Sequence, residues 1–120
     1  MQASRLRVNP IIDKQIKNLW FQLLADIKTR EEAEIIFNDL LSEIEMMAVT
    51  KRLAVGYYLN KKRSYEVIKN NLKVSSATIA TVQQDLKRPG WKMALEKMLS
   101  DEWSTKWEKR IKEQIARFRK

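Results

Sequence analysis

The sequence has no cysteine and no histidine among its 120 residues. Without cysteine there is no disulfide, no thiolate metal ligand and no thiol nucleophile. Without histidine the chain lacks the commonest general base and the commonest metal ligand. Its carboxylates are scattered over helical patterns and helix starts, and no glycine-rich phosphate loop accompanies them. We therefore expect a protein that is not an enzyme and that has no catalytic residue, no metal and no cofactor.

Glycine and proline are also scarce, with two of each. So few turn-forming residues predict long helices joined by short loops. Apolar residues make up 44% of the chain and charged residues 32%, which is typical of a globular domain. The length suits one domain with a moderate core. The predicted fold class is all-α.

Long apolar runs are absent too. No run approaches the roughly 18 residues that a membrane-spanning helix needs. The first residues, MQASRLRVNP, lack the apolar core of a signal peptide. We therefore expect a cytoplasmic protein with no membrane partner.

The charge that is present is mostly positive and unevenly placed. The net charge is +9. Residues 61–90 and residues 106–120 each carry seven basic and two acidic side chains. Residues 10–45, by contrast, carry four basic and eight acidic ones. Positive charge gathered in one segment and one tail favours a polyanionic partner such as nucleic acid.

The first half of the chain predicts three helices with clear start signals. Asn9 and Pro10 suit a cap and a first helical position, and capping boxes begin at Thr29 and Ser42. The first helix has a wide apolar stripe, and the third is apolar on two sides, which indicates burial between two layers. Because this apolar surface is larger than one small core can bury, we expect a homodimer. The stripe of the first helix comprises Ile12, Ile16, Leu19, Trp20, Leu23, Leu24 and Ile27.

The segment Ser64–Arg88 reads SYEVIKNNLKVSSATIATVQQDLKR and predicts two short helices. We expect Ser64 to cap the first helix and Ser75 to cap the second, with a break at Lys73 between them. This layout is typical of a helix-turn-helix, whose second helix enters the DNA major groove. That helix is expected to reach Arg88, because a Pro-Gly pair follows. Packing between the two helices is assigned to Ile68, Leu72, Ile79, Val82 and Leu86.

On this hypothesis the outer side of the second helix contacts DNA bases, and the surrounding cations contact phosphates. Serine, threonine, alanine and glutamine can all meet base edges. No arginine lies on that side to bind guanine, so water and DNA shape are expected to carry much of the specificity. The predicted base contacts are Ser76, Ala77, Ala80, Thr81 and Gln84. The predicted phosphate contacts are Lys61, Lys62, Arg63, Lys69, Lys73, Ser75, Lys87 and Arg88.

Residues 101–120 predict a basic, amphipathic C-terminal helix that follows a helical domain of residues 1–100. Three interpretations stay open. Its apolar stripe packs on the dimer body, or its cations lie along DNA phosphates, or it lies on an anionic membrane surface. The acidic residues of the helix oppose the last interpretation. The stripe comprises Trp103, Trp107, Ile111, Ile115 and Phe118.

Two stretches carry a resemblance to a known family, FNDLLSEIEMMAVTKRLAV at 37–55 and SYEVIKNNLKVSSATIATV at 64–82. The chain resembles the tryptophan-repressor-like superfamily, and within it the branch of uncharacterised repressor-like proteins, over about residues 10–100. The resemblance implies an all-helical, intertwined dimer whose helix-turn-helix enters the major groove of an operator. The predicted C-terminal helix lies outside it.

The resemblance also implies a possible effector pocket. In the tryptophan-binding member of the family, a hydroxyl and a carboxylate-binding arginine correspond to Ser42 and Arg52 here, and a guanidinium suits a carboxylate. The arginine that stacks on the indole is replaced by Thr81, and a small glycine by Val82. Since Val82 fills space that the ring needs, we do not expect tryptophan to be a co-repressor. Another small effector, or a surface or interhelical ion pair of Arg52, stays open.

These patterns lead to one main hypothesis and two alternatives. The main one is a sequence-specific DNA-binding transcriptional regulator, most simply a repressor, that acts as a dimer on double-stranded DNA. The first alternative is a non-specific nucleic-acid-binding or nucleoid-associated protein. The second is a protein-interaction dimer that has lost DNA reading.

Overall fold

A computed structural model describes residues 6–100 and 102–118 of the chain. For residues 102–107 and 118 it describes the backbone alone, so the predicted stripe positions Trp103, Trp107 and Phe118 lie outside the described side chains. Across the described ranges the regular structure is helical, without a strand, which confirms the all-α prediction. No helix in these ranges is both long and apolar enough to cross a membrane. The helices are α1 (Pro10–Asp26), α2 (Arg30–Leu40), α3 (Glu43–Asn60), α4 (Tyr65–Leu72), α5 (Ser76–Asp85), α6 (Pro89–Leu99) and α7 (Glu102–Phe118).

The chain divides into two compact units, Met1–Met47 and Ala48–Lys120. The first contains α1, α2 and the start of α3. The second contains the rest of α3 and the four later helices, with α7 packed on α4 and α6. A boundary after residue 100, between a helical domain and a separate C-terminal helix, stays a prediction.

Helix starts in the first unit follow from side-chain caps. The Asn9 side-chain oxygen accepts a hydrogen bond from the Ile11 amide at 2.8 Å, and Thr29 Oγ1 accepts from the Glu32 amide at 3.1 Å. Ser42 and Glu45 form a complete capping box. Ser42 Oγ accepts from the Glu45 amide, and Glu45 Oε1 accepts from the Ser42 amide. These bonds satisfy amide donors that have no partner within the helix and confirm the predicted starts.

The apolar stripe of α1 is exposed in the single chain. Neither α1 nor α2 has a buried residue. Leu19 is 73% exposed, and Trp20 and Phe37 form an edge-on pair with ring centroids 5.8 Å apart. The prediction that α3 is buried on two sides is wrong for its first half within one chain, because Ile44 is 79% exposed. Burial in α3 begins at Val55.

The second unit has a compact apolar core. Val55 of α3, Ile68 of α4 and Ile79 of α5 are each fully buried. Val82 is 2% exposed, and Leu72 and Leu86 pack against the same cluster. The predicted packing between the two motif helices is therefore confirmed. Ile111 and Ile115 of α7 also belong to this core, so the described part of the C-terminal stripe packs on the helix-turn-helix of its own chain.

The turn between α4 and α5 contains a left-handed residue. Lys73 has φ 54° and ψ 52°, a conformation that costs an L-amino acid roughly 1–2 kcal/mol and that glycine adopts freely. Its amide donates to the Lys69 carbonyl, and its own carbonyl accepts from Lys51 Nζ at 3.3 Å. The Lys51 contact ties α3 to the turn. It was not predicted, because nothing in the sequence brings residues 51 and 73 together.

The predicted end of the recognition helix near Arg88 is wrong. Helix α5 ends at Asp85 with Leu86 as its C-terminal cap, and Pro89 begins α6. Proline is well tolerated at a first helical position because its missing amide proton has no helical partner there. The Pro-Gly pair therefore starts a helix here instead of stopping one.

Gly56 lies directly under the indole ring of Trp91. A methyl carbon built on Gly56 would approach Trp91 Cη2 to 2.9 Å and Cζ3 more closely still. Such distances are well inside van der Waals contact, so the ring has to move before any side chain fits. Trp91 also packs against the core cluster. Glycine at this position therefore allows α6 to approach α3.

Gly56→Ala is expected to lower the free energy of unfolding by roughly 1–2 kcal/mol. Overpacking costs roughly 1–3 kcal/mol, and the better helix propensity of alanine offsets about 1 kcal/mol of that. Urea unfolding followed by circular dichroism measures the difference. Gly90→Ala is the matched control, because Gly90 is also helical and has nothing within 4 Å of a built methyl carbon. Equal stability of the two variants would contradict this account of Gly56.

Candidate nucleic-acid interface

The outer side of α5 is a continuous exposed surface of small and polar side chains. The helix begins at Ser75, whose Oγ accepts from the Thr78 amide at 3.1 Å. Ile79 and Val82 fix the inner side against α4. The five predicted base contacts share the opposite side and are exposed: Ser76, Ala77, Ala80, Thr81 and Gln84.

Two side-chain hydrogen bonds affect the donors and acceptors at this surface. Thr81 Oγ1 donates to the Ala77 carbonyl at 3.0 Å, so its hydroxyl oxygen remains available mainly as an acceptor. The Tyr65 hydroxyl donates to Gln83 Oε1 and joins α4 to α5 at the edge of the surface. An exposed helix side with short side chains allows the backbone to come close to a groove floor.

Most of the predicted phosphate contacts lie exposed around this surface. Lys62 adopts a left-handed conformation with φ 61°, as Lys73 does in the turn. Arg88 has a 75% exposed side chain and lies 3.7 Å from an Asp85 carboxylate oxygen, which is a weak, solvent-screened pair. The exposed members of the set are Lys62, Lys69, Lys73, Ser75, Lys87 and Arg88.

Lys61 and Arg63 differ from the rest because α7 holds them. Lys61 Nζ forms a 2.7 Å ion pair with Glu108 Oε2 and lies 5.8 Å from the Tyr57 ring centroid. The guanidinium of Arg63 lies 3.8 Å from the other Glu108 oxygen. Their side chains are only 25% and 22% exposed. The two cations are therefore partly neutralised and less accessible than the exposed members of the predicted phosphate contacts.

Glu108 is the carboxylate that sequence reasoning missed at this site. It lies within ion-pair distance of Lys61, Arg63 and Lys112. The hydrogen bond from Lys61 is the main reason that the pKa of Glu108 lies below its ordinary value, with the charges of all three cations acting in the same direction. The sequence showed only an acidic residue in a basic helix, and its partners Lys61 and Arg63 are more than 40 residues away.

Ser42 and Arg52, the possible effector pocket, belong to different units. Ser42 uses its hydroxyl and its amide in the capping box with Glu45. The hydrogen bond that the Ser42 amide donates to Glu45 lowers the pKa of the Glu45 carboxyl. The position of Ser42 is thus explained by helix initiation.

Arg52 lines an open cleft of about 410 Å³ in the second unit. Leu53 and Trp91 supply apolar walls, and Arg88 supplies a second guanidinium. The side chain of Val82 is not among these walls, because it is buried in the core between α4 and α5. Arg52 therefore has a cleft beside it. Thr81 and Val82, which differ from the tryptophan-binding family member, do not line this cleft.

Comparison with known families identifies the class of protein. The model of the family described as Trp repressor protein matches residues 14–99, well over half of the chain. The chain therefore belongs to the Trp repressor protein family, which confirms the resemblance. Members of this family are helix-turn-helix, DNA-binding regulatory proteins and not enzymes. Searches of curated proteins and of solved structures gave no match.

The charge state of Glu108 predicts a pH dependence of stability. Because folding lowers its pKa, its contribution is fully present above the unfolded value of about 4.5 and is lost as the pH falls through the lower folded value. Glu108→Gln should therefore lower the melting temperature most at neutral pH and progressively less below pH 4.5. Thermal unfolding of both proteins across this range measures the effect.

Glu113→Gln is the matched control for this comparison. Glu113 is exposed on the same helix, so its replacement removes the same charge away from the Glu108 cluster. Its effect on melting is expected to be small, as for an exposed charge. A destabilisation by Glu108→Gln that is the same at pH 3 and pH 7 would contradict the ion-pair explanation.

Proposed function

We propose that this chain is a sequence-specific transcriptional regulator, most simply a repressor, that binds double-stranded DNA in the cytoplasm as a homodimer. The observation that carries the proposal is the outer side of α5. It is exposed, small and polar, while Ile79 and Val82 hold the inner side rigidly in the core. Membership of the Trp repressor protein family supports DNA as the partner.

Base contacts are proposed for the exposed side of α5, with Gln84 as its longest side chain. Glutamine can form two hydrogen bonds with adenine, whereas serine and threonine accept or donate to several bases. No arginine stands among these five residues, so bidentate guanine contacts are not part of the proposal. Ordered water and DNA deformability supply the remaining specificity.

Phosphate contacts are proposed first for the exposed cations and for the start of α5. Lys62, Lys69, Lys73, Lys87 and Arg88 surround the motif, and Ser75 begins the recognition helix, where amide groups favour a negative charge. Lys61 and Arg63 are proposed as weaker contributors, because Glu108 already holds them. Sequence-independent affinity arises from counterion release at these contacts.

The homodimer is proposed from the exposed apolar surface of the first unit. Helix α1 contributes Ile12, Ile16 and Leu19, each at least 50% exposed. Contiguous apolar surface of this kind marks an interaction site. A second copy of the chain is the simplest cover, because closed two-fold dimers dominate among homo-oligomers and helix-turn-helix proteins commonly contact two half-sites.

Tryptophan is not proposed as a co-repressor. The family's indole-stacking arginine is replaced by Thr81, and Ser42 is used in a helix cap. Arg52 is the candidate residue for binding another small effector, through the cleft that it shares with Arg88.

Leu19→Lys is expected to weaken the dimer by about 100-fold or more. Burial of a leucine stabilises by roughly 1.5–3 kcal/mol, and a two-fold dimer contains two copies. Sedimentation over a concentration series measures the dissociation constant. Asn18→Lys is the matched control, because it adds the same charge to α1 at an exposed polar position off the stripe. A wild-type chain that stays monomeric throughout would contradict the dimer.

Substitutions on the base-contacting side and at the phosphate contacts are expected to change DNA binding in different ways. Gln84→Ala should reduce the preference for one genomic fragment over others, because it removes a base contact. Lys87→Gln should weaken binding to all fragments and reduce the slope of log affinity against log salt by about 1, because it removes a phosphate contact. Gel shifts with genomic fragments over a salt series measure both.

Lys109→Gln is the control for these shifts, since it removes the same charge from an exposed position of α7. No shift for any fragment at low salt would contradict DNA binding and favour a protein-interaction dimer. Binding with equal affinity for every fragment, unchanged in Gln84→Ala, would instead favour a non-specific nucleic-acid-binding protein.

A further inference from the structure

A second cleft lies between the helix-turn-helix and α7, and none of its lining residues is a proposed base contact. Its volume is about 400 Å³, which falls in the range of small-molecule sites. One wall is the loop before α4, and the other is the last part of α7. Because α7 lies beyond the segment that matches the family, this cleft depends on a helix that the family match does not include.

The polar side of the cleft is strongly basic. Lys62, Arg63 and Lys112 line it. Glu108 is near enough to pair with Arg63 and Lys112, but both distances are 3.8 Å and its shortest ion pair, at 2.7 Å, goes to Lys61. A single carboxylate shared among three cations leaves a net positive charge at the cleft, which favours an anion.

Arg63 has donor capacity that the described residues do not use. Its Nε and Nη2 atoms are buried without a hydrogen-bond partner among them. The 3.8 Å approach of Nη2 to Glu108 is too long for a hydrogen bond. Buried donors are normally satisfied, and a guanidinium presents a fork that matches two oxygens of a phosphate. Arg63 lines the cleft and its side chain is 22% exposed, so a small rotation of the guanidinium would bring these two donors to an oxyanion in the cleft.

The other side of the cleft is apolar. Val67 of α4 and Ile115 and Ala116 of α7 line it. Ile115 is 8% exposed and belongs to the core, so this wall is fixed in place. A cleft with cations on one side and aliphatic side chains on the other matches a ligand with an anionic end and an apolar body.

We propose that this cleft binds a small organic phosphate monoester, with its phosphate on Lys62, Arg63 and Lys112 and its apolar part on Val67, Ile115 and Ala116. A monoester carries nearly two negative charges at neutral pH, which suits several cations better than a carboxylate does. A DNA backbone phosphate shares the oxyanion chemistry but has no free apolar body to fill the aliphatic side.

Ligand binding here has a consequence that rests on the proposed function. Lys62 and Arg63 are also among the proposed phosphate contacts, so an occupied cleft competes with DNA for the same cations. The binding itself does not depend on DNA. A titration of the protein alone therefore tests the cleft, and its failure leaves DNA binding untouched.

The test compares three probes: phenyl phosphate, inorganic phosphate and phenol. Calorimetric titration of the full chain at low ionic strength measures each affinity. Phenyl phosphate is expected to bind saturably and about tenfold or more tightly than either of the others, because it alone uses both sides of the cleft. In nuclear magnetic resonance spectra, amide signals of Val67 and Ala116 should shift, and the signal of Ala94 in the Arg52 cleft should not.

Two charge variants locate the phosphate. Lys112→Gln removes a lining cation whose side chain is 64% exposed, so folding is preserved. The substitution should weaken the binding of phenyl phosphate by up to roughly fivefold. Lys109→Gln removes an equal charge from the same helix outside the lining and should have little effect. Arg63→Gln should weaken binding more, with circular dichroism checking that it folds.

Three results would overturn the proposal. The first is the absence of saturable phenyl phosphate binding. The second is equal affinity for inorganic phosphate, which would mean that the cations alone act and that a DNA phosphate serves as well. The third is equal weakening by Lys112→Gln and Lys109→Gln, which would mean that binding follows net charge and not the cleft.

Discussion

The structure of the second unit depends on the burial of Val55, Ile68 and Ile79 against one another. Each comes from a different helix, so this contact fixes α3, α4 and α5 together. It requires a sharp turn after α4, which Lys73 provides in a left-handed conformation with its carbonyl bound by Lys51. The apolar contact thus offsets local backbone strain. Its result is an α5 whose outer side is rigid and exposed.

The same core extends to α7, which lies outside the family match. Ile111 and Ile115 join it, and Glu108 binds the cations of the loop before α4. One helix therefore adds apolar burial and also redistributes the charge beside the motif. Lys61 and Arg63 are paired with Glu108, while Lys62, Lys69 and Lys87 remain exposed. Fold stability and the electrostatics of the candidate site are coupled through Glu108.

Local signals in the sequence predicted local structure well. The caps at Asn9, Ser64 and Ser75 were identified because one side chain satisfies amides two or three residues away, and the helix-turn-helix core followed from helical spacing. Contacts between distant residues were not accessible in this way, as with Glu108 and with Lys51 at the turn. Pro89 was misread because proline both ends and begins helices, and packing decides which. The apolar stripe of α1 and the small, polar side of α5 were both predicted from residue spacing. The sequence of one chain does not show which molecule binds to either side.

The central claim is that α5 distinguishes DNA sequences, and selection from a pool of random duplexes tests it most directly. The purified chain is incubated with the pool at moderate salt, and the bound duplexes are recovered, amplified and sequenced over several rounds. A DNA-reading α5 in a two-fold dimer should enrich a short motif in two inverted copies, with centres about one helical turn apart. Recovery of DNA whose sequences are as random as the starting pool, despite binding, would contradict it.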